Sequence, residues 1–233
     1  MALFERSTFE SLRRMLLFLS IDADIVLDLH CDSQAVLHLY AETSVWPQVE
    51  PLARFLGCEA ALLAEVSGDH PFDEACSTIW PRLAARFGSD TPIPSACVAV
   101  TVELRGEADV AHGFAQRDAQ ALVNYLAWQG VLGGAPSELP AARCDATPLA
   151  GSIPVSAPHG GVVVYLREPG ARVSAGERLA DLIEPMTGLV TPLLSPVDGV
   201  FYARETRRFV PAGASVLRVA GREALRQGKL LTS

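Results

Sequence analysis

Apolar and polar positions alternate with two different rhythms along this chain, and the change of rhythm divides it. The first strong run is Ile25-Val26-Leu27-Asp28-Leu29-His30-Cys31-Asp32, β-branched and aliphatic until it ends in groups that bind metals or move protons. Short and apolar on both faces, it predicts a strand of a parallel sheet buried between helices. Period-2 alternation puts Val26, Asp28 and His30 on one face, with Ile25, Leu27 and Leu29 on the other. His30 therefore reaches the strand's carboxyl end, where open α/β sheets bind their ligands. A packed core or edge histidine satisfies the same pattern.

Around this run the periodicity predicts further elements. Ser7 and Glu10 fit a capping box, and Phe9, Leu12, Leu16 and Leu19 then keep helical spacing to about Ser20. Ala35 to Tyr40 alternates as a second strand, in which packing is the stronger reading for His38. Pro47 to Leu56 predicts a helix stopped by Gly57, and Ala60 to Val66 fits either a strand or a helix. Phe72, Cys76, Ile79, Leu83 and Phe87 predict one helix kinked at Pro81. Ala96 to Leu104 is the second marked strand, carrying Glu103 near its carboxyl end. Ala115 to Gln129 predicts a helix with Leu122, Tyr125 and Leu126 inward. Alternating strands and helices imply an α/β unit with a mainly parallel sheet over residues 1–132.

Residues 133–152, rich in Gly, Ala and Pro, read as a linker. Beyond them, over 153–233, a short-strand pattern occurs twice. Pro158, Gly161 and Gly176 recur about 38 residues later as Pro196, Gly199 and Gly213. Two such copies predict a small all-β barrel-sandwich with internal twofold symmetry. The repeat resembles the lipoyl- and biotinyl-carrier type of barrel. Carriers place a lysine on the hairpin between the halves, whereas this hairpin reads Glu184-Pro185-Met186-Thr187-Gly188, and Lys229 is the only lysine in the chain. A covalent swinging-arm role is therefore not expected.

Composition narrows the function classes. A net charge of −8 argues against a large nucleic-acid surface. Five cysteines without a C-x-x-C pair read as reduced thiols of an intracellular protein. The apolar run Met15 to Leu19 is too short for a membrane span. A cytoplasmic protein that does not engage a membrane is the expectation.

A histidine and a glutamate, each near the carboxyl end of its own strand, are minimal parts of a zinc hydrolase. Such a site uses a zinc-activated water and a carboxylate that takes its proton. Glu103 reads equally as a surface partner of Arg105 or as the strand's exit into solvent. Asp28-Leu29-His30, Val100-Thr101-Val102-Glu103-Leu104-Arg105-Gly106 and the lysine-less β unit, in that order, resemble the succinylglutamate desuccinylase/aspartoacylase family. The resemblance runs from about Phe9 to Gly221. It implies a partial zinc-carboxypeptidase-like α/β fold and a zinc-dependent deacylase that cleaves the amide of a small-molecule N-acyl amino acid. By resemblance His30 is a zinc ligand, Glu103 the general base and Arg105 a substrate-binding residue. The family's other two zinc ligands lie in an H-x-x-E motif that is absent here, and its substrate-carboxylate arginine lies in the same segment. The nearest substitute, His70-Pro71-Phe72-Asp73, reads mainly as a helix cap. A catalytically incomplete binding or regulatory protein is the alternative, and homo-oligomerisation is expected.

Overall fold

The computed structural model describes residues 8–68 and 70–231, so the expected N-cap Ser7 lies outside the described residues. The first unit holds α1 (Thr8–Ser20), β1 (Ile25–Asp32), β2 (Gln34–Ala35), β3 (His38–Glu42), α2 (Trp46–Leu56) and β4 (Ala60–Ala64). It continues with α3 (Phe72–Ser77), α4 (Ile79–Phe87), β5 (Val98–Gly106), α5 (His112–Trp128) and β6 (Ala146–Pro148). Its sheet has the order β1-β5-β3-β4-β6. β1 runs parallel to β5, and β3, β4 and β6 run parallel to one another. The β3–β5 pair is antiparallel, so the sheet is mixed.

Each face is covered by different elements. Leu39, Val100, Val102 and Tyr125 are fully buried between the sheet and the helices α2 and α5. On the opposite face Cys97, Ala99 and Val26 pack against Leu17, Phe72, Cys76 and Trp80 of α1, α3 and α4. Further across that face the second unit takes over, with Leu62 and Val36 packed against Tyr202, Ala203 and Ala220.

Several expectations change. Among the described residues β1 lies at the edge of the sheet, and Leu29, expected to be buried, is exposed. Residues 35–40 do not form one strand: the chain breaks after Ala35, and β2 leaves to pair with the second unit. The predicted kinked helix is two helices that meet at Thr78. Pro81 falls in the first turn of α4, where its missing N–H costs no helical bond. The stripe Leu12, Leu16 and Leu19 of α1 faces solvent. β6 lies inside the segment read as a linker and extends the first sheet.

The second unit consists of β7 (Ser152–Ser156), β8 (Gly161–Tyr165), β9 (Arg172–Val173), β10 (Arg178–Ile183), β11 (Val190–Leu194), β12 (Gly199–Arg204), β13 (Phe209–Val210) and β14 (Ser215–Gly221). Strands β7 to β10 return as β11 to β14 at an offset of 37 or 38 residues. The pairings repeat too: β11-β10-β8-β13 form one sheet, and β7-β14-β12 with β9 form the other, which β2 joins. Each sheet thus contains strands of both copies. Leu179, Leu182, Phe201 and Val219 are fully buried between them. The two sheets remain separate and do not close into a barrel.

Candidate active site

The strand register gathers the site. His30 on β1 lies beside Glu103 on β5, and Glu103 lies beside His38 on β3. One step back along the same face stand Asp28, Thr101 and Tyr40. Cross-strand neighbours in register point to the same side of a sheet, so six polar side chains share one surface. It is the face that carries α3 and meets the second unit.

His30 Nε2 lies 3.0 Å from Asp28 Oδ2. A carboxylate on one ring nitrogen fixes the tautomer and leaves Nδ1 with its lone pair free for a ligand. The His30 side chain is 49% exposed, so that nitrogen is accessible. Glu103 differs in environment: its Oε2 is buried and has no hydrogen-bond partner. Burial, reinforced by Asp32 and partly offset by His30 and Arg218, pushes its carboxyl up to about 7. A carboxyl poised there takes and returns protons at neutral pH.

Asp73 was expected to cap a helix with His70. The N-cap of α3 is Pro71, and no side chain caps it. Asp73 instead turns inward, 3% exposed, and accepts a hydrogen bond from Thr101 on the site face. Its Oδ1 has no partner, and burial raises its carboxyl to about 7. His70 is exposed and sits in the left-handed region at φ 52°.

Arg105 is not at this face. Between His30 and Asp32 the β1–β5 register slips, so two residues of β5 oppose one of β1, and Arg105 takes φ 69° in the resulting bulge. Its guanidinium swings towards α5, forms two 2.8 Å hydrogen bonds to Asp118 and lies 4.5 Å from the Phe114 ring centre.

The arginine that does reach the site is Arg218 of β14. Its Nη1 lies 3.2 Å from Asp32 Oδ2, and it interacts electrostatically with Tyr202 and Tyr40. From there polar contacts continue across the interface between the units. The hydroxyl of Tyr202 lies 2.8 Å from Ser152 Oγ and near that of Tyr40, which lies 3.3 Å from His38 Nε2. His38 Nδ1 donates to the Val36 carbonyl at 2.8 Å. Burial lowers His38 to about 4, so it is neutral, and its Nε2 accepts from Tyr40. Arg218 and Tyr202 escaped the sequence reading, which marks Asp32 only as one of the groups closing the first strand. Arg218 carries the signal that singled out Glu103: a charge inside the otherwise apolar strand Val216-Leu217-Arg218-Val219.

A catalytic zinc takes three protein ligands. Among the described residues no three His, Cys, Asp or Glu side chains are grouped so as to hold a metal ion. His30 is a single donor, and the residues present do not fit a complete zinc site.

No protein-family model matches the chain, and no curated protein matches it in sequence. Solved structures do match. A succinylglutamate desuccinylase/aspartoacylase of Shewanella frigidimarina NCIMB 400 is 22% identical over 91% of this chain and 64% of its own, with a TM-score of 0.77. A succinylglutamate desuccinylase/aspartoacylase family protein of Shewanella amazonensis SB2B is 27% identical over 84% and 54%, with a TM-score of 0.75. The product-bound ectoine utilization protein EutE (DoeB) of Ruegeria pomeroyi is 18% identical over 91% and 61%, with a TM-score of 0.67. The chain spans less than two thirds of the length of each. In its fold, with the two marked strands and the lysine-less β unit in sequence order, the chain is similar to solved proteins of the succinylglutamate desuccinylase/aspartoacylase family.

Proposed function

We propose that this site is built for deacylation, the hydrolysis of the amide bond of an N-acyl amino acid to a carboxylate and a free amine. The observation that carries the reading is Glu103: a buried carboxyl with a free oxygen, held near neutrality and registered directly beside His30. In this reading Glu103 takes a proton from the attacking water and delivers one to the departing amine, a role typically contributing ~10²–10⁴ in rate. His30, oriented by Asp28, serves as one metal donor. The family resemblance implies zinc dependence, but with only one donor the described residues do not complete the ligand set, and no step is assigned to the metal. Arg105 serves as a brace between β5 and α5, not as a substrate contact.

The expected result is weak, readily dialysed zinc and slow amine release from N-acetylaspartate or N-succinylglutamate. Whatever rate the chain shows should fall at least ~10²-fold in Glu103→Gln. A rate indifferent to both Glu103→Gln and His30→Ala would overturn the reading. The incomplete donor set favours one alternative, a non-catalytic binding protein on the same fold. Saturable binding of an N-acyl amino acid with no amine release, unchanged by Glu103→Gln, would establish that instead.

A further inference from the structure

The two sheets of the second unit repeat one pattern, but their outer faces end differently. In β12 the outward residues Val200 and Tyr202, with Ala220 beside them on β14, pack against the first unit. The repeat makes Val162 and Val164 of β8 their counterparts, and Ile183 of β10 that of Ala220. These point out of the other sheet, on the far side of the sandwich from the first unit. The register makes them part of one surface. Val190, Ile183, Val162 and Phe209 form a row across all four strands, and Pro192, Asp181 and Val164 form the next. The outward side of an antiparallel sheet is normally polar. Here Val162 is 36% exposed, Val164 43%, Val190 46%, Leu194 44% and Phe209 65%. With their neighbours they present on the order of 500 Å² of apolar surface. A standard interface takes ~800 Å² from each partner, somewhat over half of it apolar, so this face has the area of one.

We infer that this sheet face docks the same face of a second copy of the chain, sheet on sheet across a twofold axis. Sheets that meet this way lie ~10 Å apart and interdigitate their side chains. A twofold axis lets one self-complementary patch serve both copies. The charges point to that partner. Arg178 and Asp181 are set into the face and pair with each other at 2.5 Å, so the face is neutral in a chain of net charge −8. A neutral apolar face offers a strongly charged partner no complementary potential, and it lets two acidic chains meet without repulsion there. The first unit, which covers the equivalent face of the other sheet, already has that docking surface filled by its own β unit. In a second copy the matching surface left over is the same sheet face. The inference does not depend on the deacylase reading.

Sedimentation of the full chain over a wide concentration range tests it. A dimer is expected, and Val162→Glu, at the centre of the face, should weaken it by about tenfold or more. Val162→Lys should do the same alone, while an equal mixture of the two variants should recover association, because a face that meets itself sets glutamate against lysine. Phe209→Gln, at a more exposed position, serves as a second variant should Val162 changes disturb folding, which circular dichroism would reveal. Val110→Lys, at an 89% exposed apolar residue outside the β unit, should leave the dimer unchanged. A monomer at every concentration would overturn the inference. So would an assembly indifferent to Val162→Glu and Phe209→Gln, or one weakened equally by Val110→Lys. Flotation with phosphatidylcholine vesicles, abolished by Phe209→Gln in a chain that stays monomeric, would assign the face to a lipid surface instead.

Discussion

Gly199→Ala is expected to destabilise the β-sheet unit by more than ~3 kcal/mol, enough to unfold it in many backgrounds. The cause is lateral closeness, not an unusual backbone. Gly199 opens β12 opposite Gly221 of β14, and a Cβ there would overlap the Ala220 carbonyl oxygen. That oxygen belongs to the backbone of a paired strand, so relief requires the ladder itself to move. Gly161, the counterpart of Gly199 in the first copy, meets the same obstacle: its Cβ would fall 2.6 Å from the Ile183 carbonyl oxygen of β10. Gly161→Ala should therefore cost a similar amount. Gly160→Ala is the control, because the nearest atom to its Cβ would be 3.7 Å away, and it should stay within ~0.5 kcal/mol. Denaturant titration of the three variants measures this. Equal midpoints for Gly160→Ala and Gly199→Ala would show that close strand approach is not what fixes the glycine repeat.

The glycine repeat was visible in sequence because a steric demand met twice leaves the same residue twice. Strands β1 and β5 were visible for a comparable reason: each carries a charge where an apolar face should continue. What could not be read was whatever depends on a partner distant in the chain. Nothing near Gln34 and Ala35 indicates that they leave their own sheet to pair with Arg204 and Ala203. Nothing near Arg105 indicates a bulge, since only the mismatch between β1 and β5 creates one. Spacing alone would align Arg105 with Glu103, and the resemblance makes it a substrate contact, whereas φ 69° sends it to Asp118. Arg218 lies 186 residues from its ion-pair partner Asp32, beyond the reach of any local pattern. The site is thus half legible: the residues its own strands supply could be read, and those the second unit brings could not.

The second large effect is a reversal with pH. Asp73→Asn is expected to stabilise the chain at pH 8 by about 1–3 kcal/mol and to give no gain at pH 5. In the folded chain burial raises the Asp73 carboxyl from 3.8 to about 7, so between those values the native state holds a proton that the unfolded chain has lost. The stability contributed by that proton is fully present below the unfolded value and is lost as pH rises through the folded one, at about 1.4 kcal/mol for each tenfold change in proton activity. Glu103, raised to about 7, acts in the same direction. His38, lowered to about 4, opposes both between pH 4 and 6.5, because there the unfolded chain binds the extra proton. Two groups against one leave stability falling from pH 5 to 7.5. Removing Asp73 leaves one against one, so the variant's profile should be nearly flat to pH 6.5. Asparagine keeps an oxygen to accept from Thr101 and places its amide where Oδ1 has no partner, which limits the gain. Denaturant midpoints at pH 5, 6.5 and 8 provide the measurement. Parallel wild-type and Asp73→Asn profiles would mean that Asp73 stays ionised in the fold, and that its buried oxygen draws on a solvating contact this packing does not provide.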